Sequence, residues 1–482
     1  MADDRISSLV GLWWLPQMPS DQMTGTLSVD DEGWLTLKVV GTFEEHPAQA
    51  SRPILRPERH DWPVVCGIVP RRACLLEGLQ WKSGKRSFPG FDETEYNVRA
   101  AYLGLRDWVV EAPVFRSVVA DIDTLTPWTG LSPIRTLEAD ESGSGEVGFV
   151  CAQPPDIPLG KIGSFDARLT ISYESDSSDL SASLRARVQL ILDSEEAFES
   201  QDYLETIGEF CSFLSLVTGH PSSLNRLSGV PFVATPSTLN EQRNKAFPVR
   251  ILVSSLHQDP TWNSLSPRQM VIAMNDLSAD ALLSCVKEWY DTGGGLRPVH
   301  DLLQDFTANL HTYSRGRFLT SIQALEVLDR KTRQATFMSV DVFDTWKQRM
   351  MASAPEPVDG WFARVVDHAN EPSLYKRLLY LSEQCSLILG ISDSDEERRK
   401  HLSREATDTR NYFTHYSREP RSSSVAQGTD LIVLTDWIES MVRITLFHQL
   451  GIPDDTQRTQ FRSGERTWWQ QARDLFVPPA SS

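Results

Sequence analysis

The feature that most constrains this chain is a change of hydrophobic period near residue 275. Before it, apolar side chains alternate with polar ones in short runs; after it, they recur three and four residues apart over longer ones. Period two puts successive side chains on opposite faces of a strand, whereas a period near 3.6 paints a stripe along a helix. A chain carrying both in this order is expected to be α+β and multidomain, with a β-rich antiparallel N-terminal domain followed by an all-α helical bundle. The expected division is 1–275 for the β-rich domain, 279–460 for the helical domain and 461–482 for a C-terminal tail. A length of 482 residues leaves room for two or three separate cores.

In the first part, Thr24 to Val29, an acidic turn at Asp30-Asp31-Glu32-Gly33, and Trp34 to Val40 spell a β-hairpin. Further strands are expected at Val64–Val69, Ala73–Trp81, Tyr96–Leu103, Val118–Thr126, Val147–Ala152, Ser164–Tyr173 and Leu184–Leu192, and later at Phe232–Ala234, Val249–Ser254 and Gln269–Ala273. Exposed loops are expected at 46–63 and around Asp140 to Glu146. Many short strands separated by turn clusters point to a sandwich or barrel-like domain. One covering helix is expected over Phe198 to Thr218, closed by Gly219.

The second part reads as helices at Leu282–Tyr290, His300–Leu310, Arg317–Arg330, Val342–Met351, Trp361–Ala369, Ser373–Leu389, roughly 397–417, and Thr429–Leu450. Gly293-Gly294-Gly295 has neither a following Lys-Ser/Thr nor a preceding buried strand, so it reads as a flexible helix connection rather than a phosphate cradle. Past residue 450, a short amphipathic piece from Trp468-Trp469 and a disordered Pro-Pro-Ala-Ser-Ser end are expected.

Charge and composition narrow the function. The net charge of −18 argues against a protein that coats nucleic acid through broad phosphate neutralisation, but leaves room for one local basic cleft. The most apolar stretch, Leu431 to Leu450, is interrupted by Asp436, Glu439 and Arg443, and the start Met-Ala-Asp-Asp-Arg lacks a signal pattern; a cytoplasmic protein that does not engage a membrane is expected. Six scattered cysteines (Cys66, Cys74, Cys151, Cys211, Cys285, Cys385) form no CxxC pair, and the ten histidines form no HExxH, so no metal and no cofactor are expected.

One polar helical run concentrates chemistry: Arg410-Asn411-Tyr412-Phe413-Thr414-His415. On a helix Asn411 and His415 share a face, and Arg410 flanks it. A fixed cation, a polar positioner and an imidazole that titrates near neutral pH are the groups a metal-independent ribonuclease needs. Residue types alone also fit an ordinary amphipathic helix end with His415 well placed near the helix C-terminus. Arg443 and His448 repeat the spacing, but there His448 reads as a satisfied buried or half-buried histidine and Arg443 as a solvated surface charge. The first copy is set apart by Asn411 directly after the Arg and by the further cations Arg398, Arg399, Lys400, Arg404, Arg418 and Arg421. Glu326, on a largely apolar helix, reads as a boundary acid, with orientation of the cleft as the other possibility.

The Arg410-Asn411-x3-His415 pattern resembles the signature of the HEPN superfamily, all-helical domains many of which are metal-independent ribonucleases. The opening, with Gly11-Leu12-Trp13-Trp14-Leu15-Pro16, Gly25-Thr26-Leu27 and Gly33-Trp34-Leu35-Thr36-Leu37 before Gly41, resembles the N-terminal domain of ApeA-like bacterial antiphage proteins, which pair it with a C-terminal HEPN domain. The resemblance implies an HEPN-like helical bundle and endoribonuclease activity on tRNA, at the anticodon loop, in abortive-infection defence. It also implies that the N-terminal domain is a sensor or regulator answering a phage-derived trigger. Trp13, Trp14 and Trp34 have a simpler alternative role as core.

For the chemistry, RNA supplies its own 2′-hydroxyl nucleophile, so His415 is assigned proton transfer, Arg410 phosphate stabilisation, and Asn411 positioning. The products would be a 2′,3′-cyclic phosphate and a 5′-hydroxyl. One histidine per chain falls short of an acid and a base, so a homodimer through the helical domain is expected to bring two His415 residues together. The alternative is a non-catalytic HEPN dimerisation or nucleotide-binding module with a partner-binding N-terminal domain. A serine hydrolase is disfavoured by the lack of a Gly-x-Ser-x-Gly elbow.

Overall fold

The computed structural model describes residues 7–43, 60–70, 72–85, 87, 90–105, 111–137, 148–178, 181–232, 248–254, 266–308, 315–333, 335–353, 359–367, 369–391, 396–415 and 425–477. The expected loop around Asp140 to Glu146, most of the one at 46–63, Arg418, Arg421 and the Pro-Pro-Ala-Ser-Ser end lie outside these residues. The chain divides into two compact units: Met1–Leu214 with Ser222–Pro267, and Ser215–Pro221 with Arg268–Ser482.

The first unit contains β1 (Ser8–Trp14), β2 (Met23–Val29), β3 (Leu35–Val40), β4 (Trp62–Val69), β5 (Arg72–Lys85), β6 (Glu93–Leu105), β7 (Phe115–Ile122), α1 (Leu125–Thr129), β8 (Ile134–Leu137), β9 (Gly148–Cys151), β10 (Ile157–Ile162), β11 (Phe165–Ser178), β12 (Ser181–Phe198), most of α2 (Ser200–Thr218), β13 (Leu224–Pro231) and β14 (Val249–Val253). Strand order runs β6-β3-β2-β1-β4-β5, and β5 pairs back onto β6, so among the described residues six antiparallel strands close a barrel. The hairpin expected from the sequence forms its wall, with Leu27 opposite Leu37 and both fully buried. Its turn is closed by Asp30, whose carboxylate accepts from the Glu32 and Trp34 amides at 3.0 and 2.8 Å. Gly33 supplies the left-handed backbone at φ 82°.

Trp13 fills the barrel, and its neighbours must be glycine. A Cβ on Gly67 would lie 2.2 Å from the Trp13 ring, and one on Gly25 would lie 2.6 Å from the Lys38 carbonyl and 3.0 Å from Trp13. Trp13 and Trp14 are therefore core, as the simpler reading of the opening expected, while Trp34 stands 50% exposed. From β6 the sheet continues through β14, β13, β7, β12, β11 and β10. The apolar face of α2 lies on this extension: Tyr203 stacks on Phe165 at 4.3 Å and donates to the Phe115 carbonyl at 3.2 Å.

The second unit is helical: α3 (Ala279–Ala308), α4 (Arg315–Arg333), α5 (Val340–Ala352), α6 (Asp359–Asp367), α7 (Leu374–Leu389), α8 (Glu396–His415), α9 (Thr429–Gln449), α10 (Asp454–Ser463) and α11 (Thr467–Phe476). Three expectations change here. The two helices expected on either side of the glycine triplet are one, α3, which runs through residues 293–295 and Pro298. Glycine disfavours a helix interior by roughly 1 kcal/mol each, and burial of Cys285, Val286, Val299 and Leu303 offsets that. Gln269–Ala273 is not a strand; after a 3-10 turn at Pro267–Gln269, Val271 and Ile272 donate to the Thr218 and Val217 carbonyls at 3.2 and 2.7 Å. Beyond residue 460 the amphipathic piece expected from Trp468-Trp469 forms as α11, but it is packed rather than a free tail: Trp469 is buried and its indole donates to the Val271 carbonyl at 2.7 Å.

Candidate active site on the eighth helix

Helix α8 is among the most polar in the chain, yet it has a narrow seam. Leu402, Ala406, Thr409 and Phe413 are buried, at spacings of four, three and four that line one side of a helix. Thr409 accepts a hydrogen bond from the Ala426 amide at 3.0 Å, fixing the segment ahead of α9. Phe413 meets Phe318 of α4 edge-on, with centroids 6.1 Å apart. This seam decides the orientation of the motif: Phe413 points into the bundle, Arg410 is half-buried, and Asn411 and Thr414 are exposed.

Arg410 and Asn411 are brought together. The guanidinium donates from Nη1 to Asn411 Oδ1 at 3.3 Å, and the Arg410 carbonyl accepts from Thr414 Oγ1 at 2.8 Å. His415 is the last residue of α8, and its side chain falls outside the described residues. Backbone positions 411 and 415 are one turn apart on one side of the helix.

The flanking cations behave differently from what their sequence positions suggested. Lys400 is paired with Glu396 and Glu397 at 2.8 and 3.0 Å, and Arg398 donates to the Asp474 carbonyl at 3.2 Å. Both lie at least ten residues before Arg410, about 15 Å or more along the helix axis. Arg404 stands 6.0 Å from the Tyr375 ring centroid. Glu326 is half-buried and eight residues beyond Phe318, roughly 12 Å along α4, so it is not brought to the motif.

The second Arg/His pair reverses its expectation. His448 is exposed, with Nδ1 2.8 Å from Asp454 Oδ1. Arg443 is the enclosed member: its guanidinium lies 5.2 Å from the Trp468 ring centroid, and burial lowers its pKa to about 10, with Glu439 opposing and Arg317 reinforcing the shift. The α9 stripe turns toward α4 at Glu439, which accepts a two-pronged contact from Arg317 at 2.7 and 2.8 Å. This leaves His448 outside the core.

The residue that sequence reasoning passed over is Arg315. It opens α4, is exposed, and its guanidinium carbon sits 5.2 Å from the Phe413 ring centroid. In the sequence its only signal is an Arg-Gly-Arg step before an amphipathic helix; nothing there says which helix it will meet.

Among the described residues, no group of three or more His, Cys, Asp and Glu side chains could hold a metal ion. No described helix is long and apolar enough to cross a membrane.

A β-barrel unit followed by a helical bundle with an Arg-Asn-x3-His helix is the architecture of a protein that couples a β-rich domain to an HEPN domain. The chain belongs to the family described as ApeA N-terminal domain 1, whose model matches residues 8–289. The model described as Apea-like HEPN matches residues 319–456, from α4 into α10. The chain is thus an ApeA-like protein with a C-terminal HEPN domain, which marks a nuclease or RNA-binding module. No curated protein and no solved structure matches it significantly.

Proposed function

We propose that this protein is a metal-independent HEPN endoribonuclease that cleaves tRNA, at the anticodon loop, as an abortive response to phage. The observation that carries this reading is the orientation of α8: its seam anchors Phe413 and leaves a half-buried Arg410 bonded to an exposed Asn411 at the end of the helix that His415 closes. A guanidinium there stabilises charge growing on the phosphorane, and Asn411 orients the scissile phosphate or the imidazole. His415 moves the proton between the 2′-hydroxyl and the leaving 5′ oxygen. An unstacked loop is where a 2′-hydroxyl reaches in-line geometry most easily.

A homodimer through residues 279–460 supplies the second imidazole, one acting as base and the other as acid. Residues 1–275 form the regulatory domain that answers a phage-derived trigger. The protein works in the cytoplasm. The test is tRNA cleavage by Arg410→Ala and His415→Ala: each variant, folded as judged by circular dichroism, is expected to lose cleavage by at least a hundredfold. Retained activity in either ends the assignment.

A further inference from the structure

We propose that Arg317 of α4 and Arg443 of α9 compete for one carboxylate, that of Glu439, and that this exchange is a latch controlling the candidate site on α8. The latch rests on the ribonuclease reading above and adds to it a means of regulation.

Glu439 and Arg443 stand four residues apart on α9, with the acid on the N-terminal side. That is the spacing and order in which a helix forms its own ion pair most readily. Here the carboxylate goes elsewhere: both Glu439 oxygens accept from Arg317, at 2.7 and 2.8 Å, in a contact whose side chains are 8% and 15% exposed. Ser321, one turn further along α4, donates to the same carboxylate at 3.2 Å. Arg443 is left with its Nε buried and without a hydrogen-bond partner among the described residues. Its guanidinium lies 5.2 Å from the Trp468 ring centroid, and a Cβ placed on Gly219 would stand 4.0 Å from its Nη1. Burial disfavours the charge on Arg443 and Glu439 favours it. An enclosed cation beside a carboxylate that another cation holds is an arrangement with two solutions.

Which guanidinium Glu439 takes matters at the site. Arg317 directly precedes Phe318, which is fully buried and meets Phe413 edge-on at 6.1 Å. Phe413 in turn lies about one turn from Arg410 on α8. While Arg317 holds Glu439, the first turns of α4 are tied to α9 and the Phe318–Phe413 contact is kept in place. When Arg443 takes Glu439, that tie is released, and the end of α8 that carries Arg410, Asn411 and His415 loses its support. The Gly219–His220 turn and Trp468 are the neighbours that Arg443 leaves in the exchange, so a displacement of either throws the latch.

The experiment follows hydrogen exchange by mass spectrometry in the full chain, in peptides covering 315–322 of α4 and 409–415 of α8, alongside single-turnover cleavage of tRNA. It compares wild type, Arg317→Met, Arg443→Met and the double variant. Arg443→Met removes the competitor, so exchange over 315–322 should be no faster than in wild type and cleavage no slower. Arg317→Met hands Glu439 to Arg443, so exchange should rise in both peptides and cleavage at saturating protein should fall about tenfold. The double variant leaves Glu439 buried without either guanidinium, so its rise in exchange should exceed the product of the single effects by about tenfold. Single effects that simply multiply, or an Arg443→Met variant as damaged as Arg317→Met, would overturn the competition. Faster exchange over 315–322 with 409–415 unchanged, or undiminished cleavage by Arg317→Met, would overturn the control of the site. A wild-type chain that does not cleave RNA removes the ribonuclease reading, and the exchange comparison still decides the latch.

Discussion

Phe413 joins the core of the helical unit to the chemistry proposed on its surface, so removing it should damage both. Its side chain is 5% exposed, and truncating a buried Phe to Ala costs about 3–5 kcal/mol. The edge-on contact with Phe318 at 6.1 Å accounts for about 0.5–1.5 kcal/mol of that, and the Arg315 contact at 5.2 Å for about 0.5–1 kcal/mol at an exposed position. Phe413 lies two residues from the end of α8, so the helix can relieve the cavity by melting its last turn back to Thr409, which is fully buried and bonded to Ala426. The expected loss is therefore at the low end, about 3 kcal/mol, with amides after Thr409 losing hydrogen-exchange protection first. Urea denaturation followed by far-ultraviolet circular dichroism gives the free energy, and exchange mass spectrometry gives the location. Phe413→Leu, which keeps most of the volume, should cost about 1 kcal/mol. Tying function to this packing means that Phe413→Ala should also lose RNA cleavage although it removes no polar group. A loss below about 1 kcal/mol, with cleavage intact, would show that Phe413 does not tie the core to the site.

Three further outcomes test other parts of the structure. Gly67→Ala would force a methyl to within 2.2 Å of a Trp13 ring that is 0% exposed; a loss of about 3 kcal/mol or more and a red-shifted tryptophan emission are expected, and an unchanged melting temperature would contradict the barrel packing. Arg377→Met strips one of two guanidiniums from Asp329, which is 0% exposed and bonded to Arg377 at 2.6 Å and to Arg333 at 2.9 Å. It should cost about 3 kcal/mol, and the double variant Asp329→Leu/Arg377→Met should cost less than the single one; a costlier double variant would argue against that arrangement. Burial holds the His220 imidazole below its ordinary 6.5, with Arg443 adding to the effect and a main-chain hydrogen bond with Gln269 opposing it. Below about pH 6.5 the unfolded chain takes up a proton that the native one resists. Stability should therefore fall as pH drops from 7.5 to 5.5, and less steeply in His220→Gln; equal slopes in denaturant midpoints would dispose of this.

What the sequence revealed depended on whether local pattern or tertiary context made the decision. The β2–β3 hairpin was legible because Asp30 and Gly33 fix the turn and Leu27 and Leu37 keep one face apolar. β1 was not read as a strand: it pairs with both β2 and β4, and its apolar Val10 and Leu12 face outward while Trp13 fills the barrel, so alternation is lost. Glycines broke α3 on paper but not in the fold, because burial on either side outweighs their propensity. Arg443 and His448 exchanged roles because a five-residue spacing cannot say which side of α9 meets α4. The Arg410-Asn411-x3-His415 pattern was legible as a candidate site because all three residues share one helix. The approach of Arg315 to Phe413 was not legible, because it follows the Phe318–Phe413 contact, and contacts between distant helices leave no local trace.

In the proposed reaction an imidazole and a guanidinium break RNA without an ion. Its most direct test is incubation of purified full-length protein, wild type and His415→Ala, with tRNA in excess chelator, followed by analysis of the newly formed ends. The expected result is undiminished wild-type cleavage leaving 2′,3′-cyclic phosphate and 5′-hydroxyl ends, with none by His415→Ala. Cleavage abolished by chelator, ends bearing a 5′-phosphate, or equal cleavage by the variant would contradict it.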